Sequence, residues 1–190
     1  MKAKGSGQSA LLLLDVISVL NRHHIPYAII GAFAASFHGV VRASMDADAM
    51  ISLEPTRMDV RALMGHLRKA GFKSIDRRGD VHDPIGAVIH VQDGFKNRVD
   101  LLMNIRGMAE DVFTRVIETD FMGTRIRVIG VEDFIAMKIF AGSPRDLSDA
   151  AGVLKVSGDR MDMTLAKSLV RKYGKGALDK LASLLKPLNH

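Results

Sequence analysis

Asp46 and Asp48 stand one residue apart in the stretch MDADAMIS, inside a run that otherwise reads as a buried strand. In an extended chain alternate residues share a face and rise about 3.3 Å each, so two such carboxylates start about 6.6 Å apart and point the same way. At about 4 Å in a partly dehydrated site, like charges repel by several kcal/mol. A protein avoids that cost, relieves it by protonating one group, or uses the pair to hold a cation. Magnesium suits such hard oxygens, because it accepts one or two carboxylates and keeps positions for water and phosphate. A D-x-D pair alone is more often a solvated loop or a helix cap, so its neighbours decide. Asp100, in the apolar run RVDLLM, can bring a third carboxylate beside the pair. The strand YAII ends at Gly31 and a helix starts at once, leaving backbone N–H groups where a phosphate can sit. Arg42 and Ser44 precede the aspartates, and either can contact phosphate.

The elements that must position these groups follow from periodicity and breakers. Ser9 is suited to cap a helix whose Leu12, Val16, Ile17 and Leu20 fall on one face, ending near HHIP. YAII reads as a short strand, AFAASFHG as a short helix stopped by Gly39, and DADAMISL as an alternating strand. EPTRMDVRALMGHLRKAG, with Pro55 near its start and Gly71 at its close, predicts a helix. FKSID, AVIHVQ and RVDLLM predict three strands, the last two joined as a hairpin through DGFKN. A helix is expected from Met108 to Ile117, then a strand or strand pair in FMGTRIRVI. Beyond Gly130 the strand signals stop and four helices are expected, separated by GSP, SGD and GKG. The expectation is an α+β fold: a mixed-sheet core over residues 1–130, with a helical segment over 131–190 packed on it.

Composition narrows the function classes. The 190 residues are 47% hydrophobic and 25% charged, which argues for one packed core and against disorder. No cysteine occurs, so disulfides and thiolate zinc sites are excluded and a reducing cytoplasm is the expected location. The N-terminal LLLL is interrupted by Asp15 and continues as an amphipathic pattern, so neither a signal peptide nor a membrane span is expected. The net charge of +6 divides evenly: residues 131–190 carry ten Lys and Arg against seven Asp and Glu, leaving seventeen against fourteen before them. With aromatic residues at 5%, no stacking platform for bases is visible, and nucleic acid stays open as a substrate.

The stretch IIGAFAASFHGVVRASMDADAMI resembles the signature of the nucleotidyltransferase superfamily typified by DNA polymerase beta: a strand, a glycine turn, a short helix, then a strand bearing two acids one residue apart. Thirteen residues separate the Gly31-Ala32 turn from Asp46, within that family's usual spacing. Gly39, Arg42, Ser44, Asp46 and Asp48 further resemble the minimal, AbiEii-type toxin branch, as does VEDFIAMKIFAGSPRDLSDA with its Lys138, Arg145, Asp146 and Asp149. The resemblance covers roughly residues 25–155. It implies that Asp46 and Asp48 hold two magnesium ions on the triphosphate of an NTP and that Asp100 helps deprotonate the attacking group. It also implies that Gly31, Ala32, Ser36, Arg42, Ser44, Lys138, Arg145 and Asp149 lie around the nucleotide. The implied reaction moves a nucleoside monophosphate to an acceptor hydroxyl and releases pyrophosphate, with tRNA or another RNA as one acceptor class and an antitoxin protein as a partner. Ala32 replaces the second Gly or Ser of the family's turn, and Ala47 and Ala49 are smaller than usual beside the acids. These departures favour a second reading, an inactive nucleotide- or partner-binding module on the same fold.

Other candidates have plainer explanations. Asp80, His82 and Asp83 read as a polar turn. His38 and His90, in apolar stretches, read as core-edge residues with satisfied hydrogen bonds. The pair Arg145 and Asp149 also has the i,i+4 spacing that steadies a helix.

Overall fold

A computed structural model of the chain describes residues 2–186. Seven strands form one mixed sheet in the order β3-β4-β5-β2-β1-β7-β6. They are β1 (Tyr27–Ile30), β2 (Asp46–Ile51), β3 (Lys73–Arg78), β4 (Ile85–Gln92), β5 (Arg98–Ile105), β6 (Ile117–Phe121) and β7 (Thr124–Val128). The helices are α1 (Ser9–Arg22), α2 (Gly31–Phe37), α3 (Val60–Lys69), α4 (Val131–Ala141), α5 (Pro144–Ser157), α6 (Met163–Arg171) and α7 (Lys175–Leu185). The α+β expectation and the mixed sheet therefore hold. β2 pairs parallel to β5 and antiparallel to β1, while β4 and β5 form the expected hairpin.

One hydrophobic cluster runs from α1 through the sheet to Leu181 of α7. Alternation sorts β2: Ala47, Ala49 and Ile51 are buried on one face, and Asp46 and Asp48 emerge on the other. α1 packs over β2 and β5. The small Ala47 and Ala49, both fully buried, leave room for its leucine-rich face, which accounts for their size. Among the described residues, no helix is long and apolar enough to cross a membrane.

Three local expectations are corrected. Ser9 is the first helical residue of α1, not its cap: its hydroxyl donates to the Met45 carbonyl (2.6 Å) and accepts from the Arg98 amide (3.2 Å). It thereby stitches the helix to the start of both β2 and β5. Pro55 opens only a 3-10 turn (Glu54–Thr56), because Arg57 turns left-handed at φ +54°. α3 begins afresh after Asp59, whose side chain caps the Ala62 amide at 2.7 Å. The helix expected from Met108 to Ile117 shrinks to a 3-10 turn (Glu110–Thr114), closed by the Thr114 hydroxyl on the Asp111 carbonyl, and Ile117 already belongs to β6. The β-branched Val116 and Ile117 favour the extended hairpin over another helical turn.

Candidate active site

Strand register assembles the acids. Asp48 lies opposite Asp100 across the parallel β2–β5 pair, and Asp46 lies opposite Arg98. His90 of β4 faces Asp100, and Ile75 of β3 faces His90, so Ile75, His90, Asp100, Asp48 and Ile30 form one row across five strands. Residues in such a row share a face of the sheet. The three sequence-predicted carboxylates are thus brought to one side of the sheet, at the bend where β1 turns into α2.

Gly31 makes that bend possible. Its φ is +66°, and a Cβ built there collides with the Asp48 carboxylate, so only glycine lets this carboxylate lie against the turn. Ala32 beside it is 3% exposed, which directs its methyl into the protein and away from the opening.

The three acids have different environments. Burial, then the charges of Asp100 and Asp46, push the Asp48 carboxyl up to about 6. Asp100 is buried, which alone would raise its pKa. Two bonds from Arg98 and one from His90 outweigh that and hold it below the ordinary carboxylate range. Arg98 Nε donates to Asp100 Oδ1 at 2.8 Å while its Nη2 donates to Oδ2, and His90 Nδ1 lies 2.8 Å from Oδ1. Arg98 Nη1 also approaches Asp46 Oδ2 at 3.9 Å. Among the described residues, no group of three or more His, Cys, Asp or Glu is arranged to hold a metal ion, and both oxygens of Asp100 are engaged by Arg98 and His90.

A cleft of about 280 Å³ opens from Asp48 and Gly31 between the sheet and α4. Ile85, Leu102 and Phe140 contribute apolar wall, and Lys138 faces Asp48 from α4. Lys138 is buried, with its Nζ 2.8 Å from both Asp146 Oδ1 and Asp149 Oδ2. Asp149 in turn lies 3.2 Å from Arg42 Nε, tying the loop before β2 to α5. Asp149 Oδ2 and Arg42 Nε are close to their partners without hydrogen-bond alignment, so these two contacts are electrostatic attraction at short range. Burial would raise the Asp146 carboxyl, but hydrogen bonds from Lys138 and Ser143 hold it low. Because Lys138 neutralises two carboxylates in a buried setting, Lys138→Met is expected to destabilise the fold by roughly 3–5 kcal/mol, read as a lower urea midpoint.

The remaining sequence-predicted residues do not line this cleft. The Ser36 hydroxyl donates to the Ala32 carbonyl within α2 (3.1 Å), and that of Ser44 donates to the Asp46 carbonyl (2.8 Å). Arg145 is exposed in the first turn of α5. Asp80 caps its own turn through the His82 and Asp83 amides, as a polar turn should. His38 meets the Ile129 carbonyl at 2.9 Å. Sequence reasoning missed Arg98 and His90. The signal for Arg98 was its place two residues before Asp100, on the same face of a strand.

Residues 10–188 match a family described as "Nucleotidyl transferase of unknown function (DUF2204)". No curated protein matches the sequence. Among solved structures, the crystal structure of ANT(2")-Ia in complex with adenylyl-2"-tobramycin is similar at a TM-score of 0.60 and 15% identity, over 88% of this chain and 99% of that one. The solution structure of the antibiotic-resistance factor ANT(2'')-Ia gives 0.59 and 14%, over 96% and 97%. The lincomycin-bound lincosamide antibiotic adenylyltransferase LnuA gives 0.50 and 12%, over 81% and 99%. At such identities these likenesses establish a shared fold.

Proposed function

The chain belongs to the nucleotidyl transferase family matched over residues 10–188, and from that premise we propose that it transfers a nucleoside monophosphate from an NTP to an acceptor hydroxyl with magnesium, releasing pyrophosphate. One observation carries the reading: Asp48 and Asp100 lie in register on adjacent parallel strands, with Asp46 on the same face of β2, and Asp48 opens into the cleft beside Gly31 and Lys138. The donor chemistry fits magnesium, because all three groups are hard carboxylate oxygens and the half-buried Asp48 is raised by desolvation and then by its acidic neighbours, with no ion pair among the described residues to relieve it. Asp46 and Asp48 would hold two ions, with Asp100 joining them once Arg98 lets go. When bound, magnesium neutralises the triphosphate and stabilises charge on the attacking and leaving oxygens.

The protein's own groups supply orientation and proton transfer. The acceptor oxygen bonds to the α-phosphorus, the bond from that phosphorus to pyrophosphate breaks, and Asp100 takes the hydroxyl proton. Lys138 brings positive charge to the phosphate end of the cleft, held in place by Asp146 and Asp149. Apolar wall from Ile85, Leu102 and Phe140 keeps water from the nucleoside. Metal binding requires Asp48 ionised, so with its carboxyl near 6 in the metal-free protein, transfer at magnesium too low to saturate the site rises as pH climbs through about 6 and levels off above. A kcat/KM profile from acid to neutral pH, at fixed free magnesium, measures this.

For the acceptor, the reading favours RNA. Lys73, Ile75 and Arg77 share the site face of β3, with His90 and Gln92 beside them on β4, so the approach from that edge offers two cations, with Asp83 beside Arg77 and His90 at its far end. Ile75 is 67% exposed between them, a surface on which a sugar or base can rest. Incubation with labelled ATP, GTP, CTP and UTP, magnesium and bulk tRNA tests this: label passes to RNA, and replacing Lys73 and Arg77 together by Ser weakens RNA use about tenfold while sparing NTP binding. The AbiEii-type toxin branch and an antitoxin partner are finer parts of the same proposal, supported by Gly39, Arg42, Ser44, Lys138, Arg145 and Asp149. The fork of Arg98 on Asp100 is the observation that favours a non-catalytic binding module. NTP binding without transfer to RNA, small hydroxylated acceptors or proteins would select that alternative.

A further inference from the structure

Arg98 contacts two of the three carboxylates that the magnesium reading requires. Its guanidinium occupies both oxygens of Asp100 and lies 3.9 Å from Asp46 Oδ2. A guanidinium and a divalent ion compete for the same lone pairs, so Arg98 and the metal cannot share Asp100 in this arrangement. The two partners differ in freedom. The Asp100 side chain is 12% exposed and pinned by His90, whereas the Arg98 side chain is 42% exposed and has solvent to move into. The Arg98 backbone stays fixed meanwhile, since its amide donates to Ser9 Oγ.

Once a divalent ion takes over Asp46 and Asp100, Arg98 loses its partners and faces a like charge. A triphosphate offers it new ones, because the planar fork that grips a carboxylate also matches phosphate oxygens. We propose that Arg98 is the resident cation of the carboxylate pocket, that it competes with the divalent ion for Asp46 and Asp100, and that on displacement it becomes a phosphate-binding residue for the NTP. This rests on the magnesium reading above and extends it. Metal and nucleotide then bind cooperatively, because each removes an obstacle to the other.

The experiment uses Mn²⁺ alone as the probe, with the free ion counted by electron paramagnetic resonance near pH 7.5, with and without a non-hydrolysable NTP analogue. Wild type, Arg98→Met, Arg98→Lys and Asp48→Asn are compared. Without nucleotide, Arg98→Met should bind Mn²⁺ at least about tenfold more tightly than wild type, since a unit positive charge a few ångströms from a divalent ion costs about that factor even at the dielectric of water. The gain in Mn²⁺ affinity that the analogue gives wild type should shrink in the variant. Arg98→Lys keeps the charge but loses the fork and should fall between the two, which preserves the test if the Met variant fails to fold. Mn²⁺ binding that is lost in Asp48→Asn but is unchanged or weakened by the Arg98 substitutions overturns this proposal alone. Mn²⁺ binding that Asp48→Asn leaves intact overturns the magnesium reading beneath it.

Discussion

Asp48→Asn should abolish nucleotidyl transfer, by about a thousandfold or more, and at the same time make the metal-free protein more stable at neutral pH. The first effect follows from removing a half-buried negative charge that, on the proposed reading, holds the ions organising the triphosphate; electrostatic groups of this kind are worth several kcal/mol in the transition state. The second follows from linkage. The Asp48 carboxyl is raised by burial and by Asp100 and Asp46 to about 6. Between its unfolded pKa near 3.8 and about 6, the folded state holds more protons than the unfolded one, so stability falls as pH rises through that window. At pH 7.5 the ionised group is therefore a liability, and the neutral asparagine relieves roughly 1–3 kcal/mol of it. Thermal melts at pH 5 and 7.5, with and without magnesium, separate the effects. Without metal, the variant should melt above wild type at pH 7.5 and close to it at pH 5. Magnesium should raise the wild-type melting temperature and leave the variant unmoved. A variant that transfers label at the parental rate would remove Asp48 from the site.

Gly31→Ala should cost at least about a hundredfold in transfer, the penalty commonly seen when a reacting geometry is displaced by about 1 Å. Two contributions act together. A left-handed residue with a Cβ costs about 1 kcal/mol or more, and this Cβ also collides with the Asp48 carboxylate. Gly71→Ala is the matched control, since Gly71 is left-handed at φ +94° and a Cβ there meets nothing within 4 Å. Both variants should lose similar backbone stability, but only Gly31→Ala should lose transfer. Equal activity in the two would show that the carboxylate tolerates displacement from the bend.

The carboxylates themselves were legible because strand alternation is a local property: Asp46 and Asp48 share a face in any extended chain, and Asp100 stands in an evident second strand. The parallel β2–β5 pairing that aligns Asp48 with Asp100 was not legible, since the two strands are separated by a helix and two other strands. His90 lay between these extremes. The β4–β5 hairpin turns through residues 93–97, and a symmetric closure of that loop, with Gln92 opposite Arg98, sets His90 opposite Asp100. Its place in an apolar run reads as a core edge, and only the partner across the hairpin, Asp100, makes it part of the site. The ion pairs of Lys138 with Asp146 and Asp149 cross the α4–α5 turn, and Asp149 also reaches Arg42 from another part of the chain. The motif identified the participants without saying that they bond to one another. The helix expected over residues 108–117 is cut to a 3-10 turn because the β-branched Ile117 opens β6.

The hydroxyl of Ser9 holds the Met45 carbonyl and the Arg98 amide at once, and nearby the Gln8 amide donates to Asn97 Oδ1 while Asn97 Nδ2 donates to the Gly5 carbonyl. Residues 5–9 thus act as a buckle across the mouths of the two acid-bearing strands. Tags or fusions joined at the amino terminus would tug on that buckle, and preparations differing only in their leader sequence would then differ in how tightly they take up divalent ions.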